Sequence, residues 1–91
     1  MAGDGVSKQV LVGNELGIHA RSAAGIAKLA KKAKSGIWLE KDGDRADAKS
    51  VIDILTLACL KGSQITIGVD DSSDAHVLEE IVNLVKNNFG E

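Results

Sequence analysis

The residues best suited to chemistry are concentrated in Gly17-Ile18-His19-Ala20-Arg21-Ser22-Ala23-Ala24, where a loop hands over to a helix. With His19 at or just before the N-cap, the backbone N–H groups of Ala20, Arg21 and Ser22 have no carbonyl partners inside the helix. They point toward whatever the imidazole carries. Such a helix end favours anions, and Arg21 adds a guanidinium matched to phosphate oxygens. Ala20, Ala23 and Ala24 are small and leave the approach open. Imidazole is largely neutral near neutral pH, so one ring nitrogen is available as a nucleophile. Joined to a phosphoryl group, it becomes a carrier, because the N–P bond stays reactive and transfer needs mainly positioning and charge stabilisation. The same residues also fit a histidine that simply caps the helix beside a solvated arginine.

Short elements must position this segment. After a flexible start, Lys8 to Val12 predicts a strand, and Gly13, Asn14 and Gly17 break it into a loop. From about Ala20 the period becomes helical, with Ala23, Ile26, Ala27, Ala30 and Ala33 on one stripe and Gly36 as the stop. Lys28, Lys31, Lys32 and Lys34 lie opposite that stripe or crowd the last turn, where cations complement the helix dipole. Ile37 and Leu39 alternate with Trp38 and Glu40, Asp42-Gly43 is a strong hairpin signal, and Arg45 to Ala48 returns as the partner strand. Ser50 predicts an N-cap for a helix over Val51 to Leu60, with Ile52, Leu55 and Cys59 on one stripe.

Gln64 to Val69 alternates strictly, as a strand with one wet face does. Asp70 to Ser73 forms a turn with Ser73 as cap, and Leu78, Ile81, Val82, Val85 and Phe89 make a helical stripe closing near Gly90. The resulting βαββαβα order predicts an α+β domain, a mostly antiparallel four-stranded sheet with three helices on one face. One domain over 1–91 with an ordered core of about 6–89 accounts for the chain, with a radius of gyration of roughly 12 Å.

Composition excludes several classes. Eleven Lys and Arg against thirteen Asp and Glu give a net charge of −2, and aromatics amount to 2%, so neither a basic field nor a stacking platform is available for nucleic acid. The lone Cys59 forms no internal disulfide, and no cluster has metal-ligand spacing. The most apolar stretch, Val51 to Leu60, is too short to span a bilayer, and the N-terminus lacks a secretory pattern. A cytoplasmic monomer without direct membrane contact is expected.

Gly-Ile-His-Ala-Arg-Ser-Ala-Ala at 17–24 resembles the active-site signature of HPr, the histidine-containing phosphocarrier of the bacterial phosphotransferase system. Ala48-Lys49-Ser50-Val51-Ile52 resembles its second signature. The likeness extends from about Val6 to Phe89. It implies an open-faced β-sandwich in which Enzyme I, using phosphoenolpyruvate, phosphorylates the δ1 nitrogen of His19. Arg21 would steady the charge, no cofactor would be needed, and an Enzyme IIA-type protein would accept the group.

The resemblance also implies apolar docking at Ile18, Ala24, Val51, Ile52 and Leu55, ringed by Lys28, Lys31 and Lys49. Ser50 aligns with the serine that a dedicated HPr kinase modifies in some bacteria. The chain departs from the usual pattern at Ser22, where proline is commoner. Serine leaves one donor more and predicts a looser backbone. Ala58 replaces a common glycine, with consequences expected only for packing. The 14–17 loop and the 88–91 tail look more like the nitrogen-related branch of the family. Ser22 also admits another reading, a regulatory module that docks on a transcription factor or kinase whatever the state of His19.

The remaining polar residues have plainer roles. Ser50 caps a helix whether or not it is modified, and a phosphate there would place negative charge in the docking patch. Cys59 is expected in the core and His76 in solvent. Asp70, Asp71 and Asp74 lack a calcium-loop pattern and suit a turn at a helix start.

Overall fold

The computed structural model describes residues 4–91, so the first three residues of the expected flexible start lie outside it. β1 (Val6–Leu11), α1 (Ala20–Ala30), β2 (Ile37–Lys41), β3 (Asp44–Asp47), α2 (Val51–Leu55), β4 (Gln64–Val69) and α3 (Ala75–Lys86) follow in the expected order. Two 3-10 turns, Ser72–Asp74 and Asn88–Gly90, flank α3. The sheet runs β1-β4-β2-β3 with every pair antiparallel, and the Cα radius of gyration is 11.8 Å.

Alternation builds the core. Val10, Ile37, Leu39, Ala46, Ile65, Ile67 and Val69 face inward and meet Ala23, Ile26, Ala27 and Ala30 of α1 and Val77, Leu78, Ile81, Val82 and Val85 of α3. Each buried Val or Ile contributes about 1.5–3 kcal/mol, so this layer dominates the stability of so small a domain. The opposite sheet face is largely polar apart from exposed Leu11 and from Trp38, whose indole lies across buried Gly68 with the Arg45 guanidinium 3.7 Å from the ring centroid. Asp42 and Gly43 both take positive φ, 52° and 86°, the paired left-handed geometry of a tight two-residue hairpin.

Element boundaries depart from expectation, by one or two residues at β1 and β3 and by more at the helices. α1 stops at Ala30, because Lys32 and Ala33 turn to the tighter i→i−3 pattern and Gly36 already accepts a strand-edge bond from Asp70 N–H at 2.9 Å. α2 has only five residues. Thr56, Leu57 and Ala58 bond three residues back, and Ala58 sits at φ 51°, so this position concerns backbone strain as well as packing. That reversal buries Cys59 while Ile52 and Leu55 stay exposed, which separates the stripe expected to hold all three. Ile54 is the residue of α2 that enters the core.

Ser73 does not cap α3. Its N–H donates to Asp71 Oδ1 at 2.9 Å, and Asp74 takes the N-cap position. The Asp74 carboxylate is spent elsewhere: Oδ1 accepts from Lys34 N–H at 3.1 Å, and Oδ2 accepts from Ser35 N–H at 2.8 Å and from Ser35 Oγ at 2.5 Å. These bonds hold the carboxyl down at about 2 and stitch the α1–β2 connection to the start of α3.

Candidate functional site

The loop between β1 and α1 is pinned to the segment after α2. Val12 N–H donates to Ser63 O at 2.8 Å, Gly62 N–H to Val12 O at 2.7 Å and Ile18 N–H to Cys59 O at 2.8 Å. Gly17 has φ 65°, and a Cβ there would overlap the Cys59 carbonyl, so glycine is required on both counts. The histidine is thereby delivered to the start of α1 on a fixed backbone.

His19 is the N-cap, with extended φ and ψ of −114° and −176°. Ala23 N–H makes the first helical bond, to His19 O at 2.8 Å, which leaves Ala20, Arg21 and Ser22 N–H without carbonyl partners inside the helix. The His19 side chain is 32% exposed, neither sunk in the core nor free of contacts. Arg21 is exposed and makes no hydrogen bond or ion pair among the described residues. It borders a depression of about 320 Å³ together with Ser22, Gly25, Leu84, Phe89 and Glu91. The guanidinium is thus at liberty to meet an anion on the imidazole.

Ser22 corrects an expectation. Its side chain is buried, and its hydroxyl oxygen accepts from His19 N–H at 2.8 Å while donating to His19 O at 3.1 Å. With Ser22 N–H directed at the His19 side chain in return, the two residues form a capping box. The backbone that proline would stiffen through its ring is held here through a hydroxyl.

Two residues that sequence reasoning missed complete the site. Glu91 Oε2 lies 2.8 Å from His19 Nε2, and Glu91 Oε1 accepts from Asn14 Nδ2 at 3.1 Å. Asn14 is buried and also donates to Gly17 O at 2.8 Å. The hydrogen bond with His19, and after it the one from Asn14, holds the Glu91 carboxyl below the ordinary carboxylate range, with a smaller contribution from the Arg21 charge. Glu91 is 72 residues from His19 and belongs to no periodic pattern, so only the folded chain reveals the pairing.

The residues expected to dock partners divide by exposure. Ala24, Ile52, Leu55, Lys28 and Lys31 are exposed, with Ile52 at 79%, and Val51 is partly buried against the core. Ile18 is not available: it is 8% exposed and belongs to the core. Lys49 is also committed, its ammonium donating to Ala33 O and Ser35 O at 3.2 Å each, beyond the end of α1. Leu16 and Leu60 are exposed apolar residues that the sequence did not single out. Ser50 caps α2 as expected, its Oγ accepting from Asp53 N–H at 3.2 Å. Burial pushes the Cys59 thiol up, which disfavours the reactive thiolate.

Residues 6–87 match the family described as PTS HPr component phosphorylation site. The chain is 36% identical over 86 residues to the phosphocarrier protein HPr of Treponema pallidum, covering 94% of this chain and 98% of that one. It is 32% identical to the HPr of Neisseria meningitidis over 86% of this chain and 88% of that one. Among solved structures, HPr-C-His from Thermoanaerobacter tengcongensis superposes with a TM-score of 0.88 at 30% identity, covering 94% and 97% of the two chains. A histidine at a helix N-terminus, an exposed arginine two residues on, and a likeness running nearly end to end converge on one answer: the chain belongs to the HPr family of phosphotransferase-system phosphocarriers.

Proposed function

We propose that His19 is the phosphoryl-carrying residue, that phospho-Enzyme I is the donor and that an Enzyme IIA-type protein is the acceptor, with phosphoenolpyruvate as the ultimate source. The Nδ1 lone pair attacks the phosphorus, the donor's N–P bond breaks, and the bonding pair leaves on the donor nitrogen. In the second transfer His19 is the leaving group. The oxygens of the carried group lie against the N–H groups of Ala20, Arg21 and Ser22, and the Arg21 guanidinium swings onto them. Supporting this reading above all is the partly exposed imidazole at the N-cap of α1 beside an arginine that is exposed and unpaired among the described residues.

Partners approach over Ala24, Val51, Ile52 and Leu55, with Lys28 and Lys31 steering acidic surfaces. Ser50 is a candidate for regulatory phosphorylation by an HPr kinase. The group would sit well at the start of α2 yet repel an acidic partner, so Ser50→Asp is expected to weaken Enzyme I binding with little change in thermal stability. Unchanged affinity in a binding titration would refute that mechanism. A docking module indifferent to His19 was suggested by Ser22, and the bracing hydroxyl of Ser22 removes that motive.

Intact-mass measurement after incubation with phosphoenolpyruvate and Enzyme I tests the assignment. Wild type gains one acid-labile phosphoryl group and His19→Ala gains none. A wild type that stays unmodified would overturn it.

A further inference from the structure

The contact between His19 and Glu91 joins residues 72 apart in the chain. Glu91 lies past the Asn88–Gly90 turn, and its carboxylate is engaged on both oxygens, by His19 Nε2 at 2.8 Å and by Asn14 Nδ2 at 3.1 Å. Asn14 in turn is fixed by burial and by its bond to Gly17 O. Carboxylates placed this way behind an imidazole are found where a histidine must present one particular nitrogen.

We propose that Glu91 is a positioning residue for His19: it accepts the Nε2 proton, keeps Nδ1 unprotonated on the side of the α1 N-terminus, and balances the charge that the ring acquires on phosphorylation. The inference rests on the carrier reading above. When neutral imidazole attacks through Nδ1, the ring nitrogen that keeps its proton, Nε2, becomes part of a positively charged phospho-imidazole. Glu91 already faces that N–H, so the ion pair forms without any new side-chain movement. On transfer to the acceptor the bonding pair returns to Nδ1 and the ring is again neutral, with its proton still on Nε2. No proton enters or leaves the site in either direction. Asn14 braces the carboxylate so that it does not swing to the exposed Arg21, which stays free for the phosphoryl oxygens.

Imidazole nitrogen NMR on the unphosphorylated protein, paired with transfer kinetics from phospho-Enzyme I, tests the proposal in wild type, E91A and E91Q. Glu91 is on the surface, so neither change threatens the fold. Wild type should show a slowly exchanging proton on Nε2. E91A should lose that protection and transfer roughly tenfold or more slowly, in kcat with KM for Enzyme I nearly unchanged, as expected when a reacting group loses its orientation. E91Q should recover the protected Nε2 proton, because its amide oxygen still accepts, while recovering the rate only in part because the charge is gone.

Equal Nε2 protection and equal kcat in wild type and E91A would overturn the inference and leave the carrier reading intact. A wild type that takes no phosphoryl group would instead bring down the carrier reading, and the positioning role with it.

Discussion

A carrier histidine, the role proposed for His19, has to reach its partner proteins and yet hold one orientation, and the neighbours of His19 suit both demands. The ring is one-third exposed, its main chain is clasped by the Ser22 hydroxyl, and Nε2 is occupied by Glu91. Ser22→Ala removes the acceptor for His19 N–H and is expected to cost about 1 kcal/mol in urea unfolding, together with slower phosphoryl uptake at unchanged Enzyme I affinity. Stability and rate equal to wild type would show that the hydroxyl is incidental. The placement of His19 and Arg21 at the start of α1 was legible in the sequence because a helix start beside a histidine is a local pattern. Glu91 and Asn14 were not legible, since their roles depend on side-chain contacts across 72 and 77 residues.

At the scale of elements, the connections carry the departures from pattern. Ala58 occupies a left-handed conformation at φ 51° that costs a residue with a Cβ about 1–2 kcal/mol, so Ala58→Gly should raise the melting temperature. An unchanged or lower value would place the strain elsewhere. Apolar periodicity continued through Ala58 and Cys59 and so predicted ten helical residues, where backbone reversal permits five.

Asp74 tells a similar story. Sequence gave it a helix-start role, whereas its carboxylate ties Lys34 and Ser35 across 39–40 residues. Because its folded value, about 2, lies below the ordinary 3.8, the ionised form is the one that stabilises the fold. That contribution is complete above about pH 4 and is lost as pH falls toward 2. Thermal melts of wild type and Asp74→Asn should differ most above pH 4 and converge as pH approaches 2. A gap that stays constant with pH would contradict the linkage.

For the molecule as a whole, alternation and helical stripes fixed the layer order, and the structure follows it from β1 to α3. The sheet serves as a rigid base that leaves one helix start, a short apolar helix and the lysines of α1 on the surface, with no deep cleft required for transfer between proteins. Exposure was harder to foresee than order: Ile18 and Lys49 looked like surface residues by signature, yet the first is core and the second caps backbone carbonyls. What the whole arrangement claims is that Nδ1 of His19 takes the phosphoryl group at the open end of α1. Phosphorus NMR after incubation with phosphoenolpyruvate and Enzyme I addresses that claim directly. The account predicts a single Nδ1-linked phosphohistidine resonance that is absent from His19→Ala, and it would be contradicted by an Nε2-linked signal, by no signal, or by one that survives the substitution.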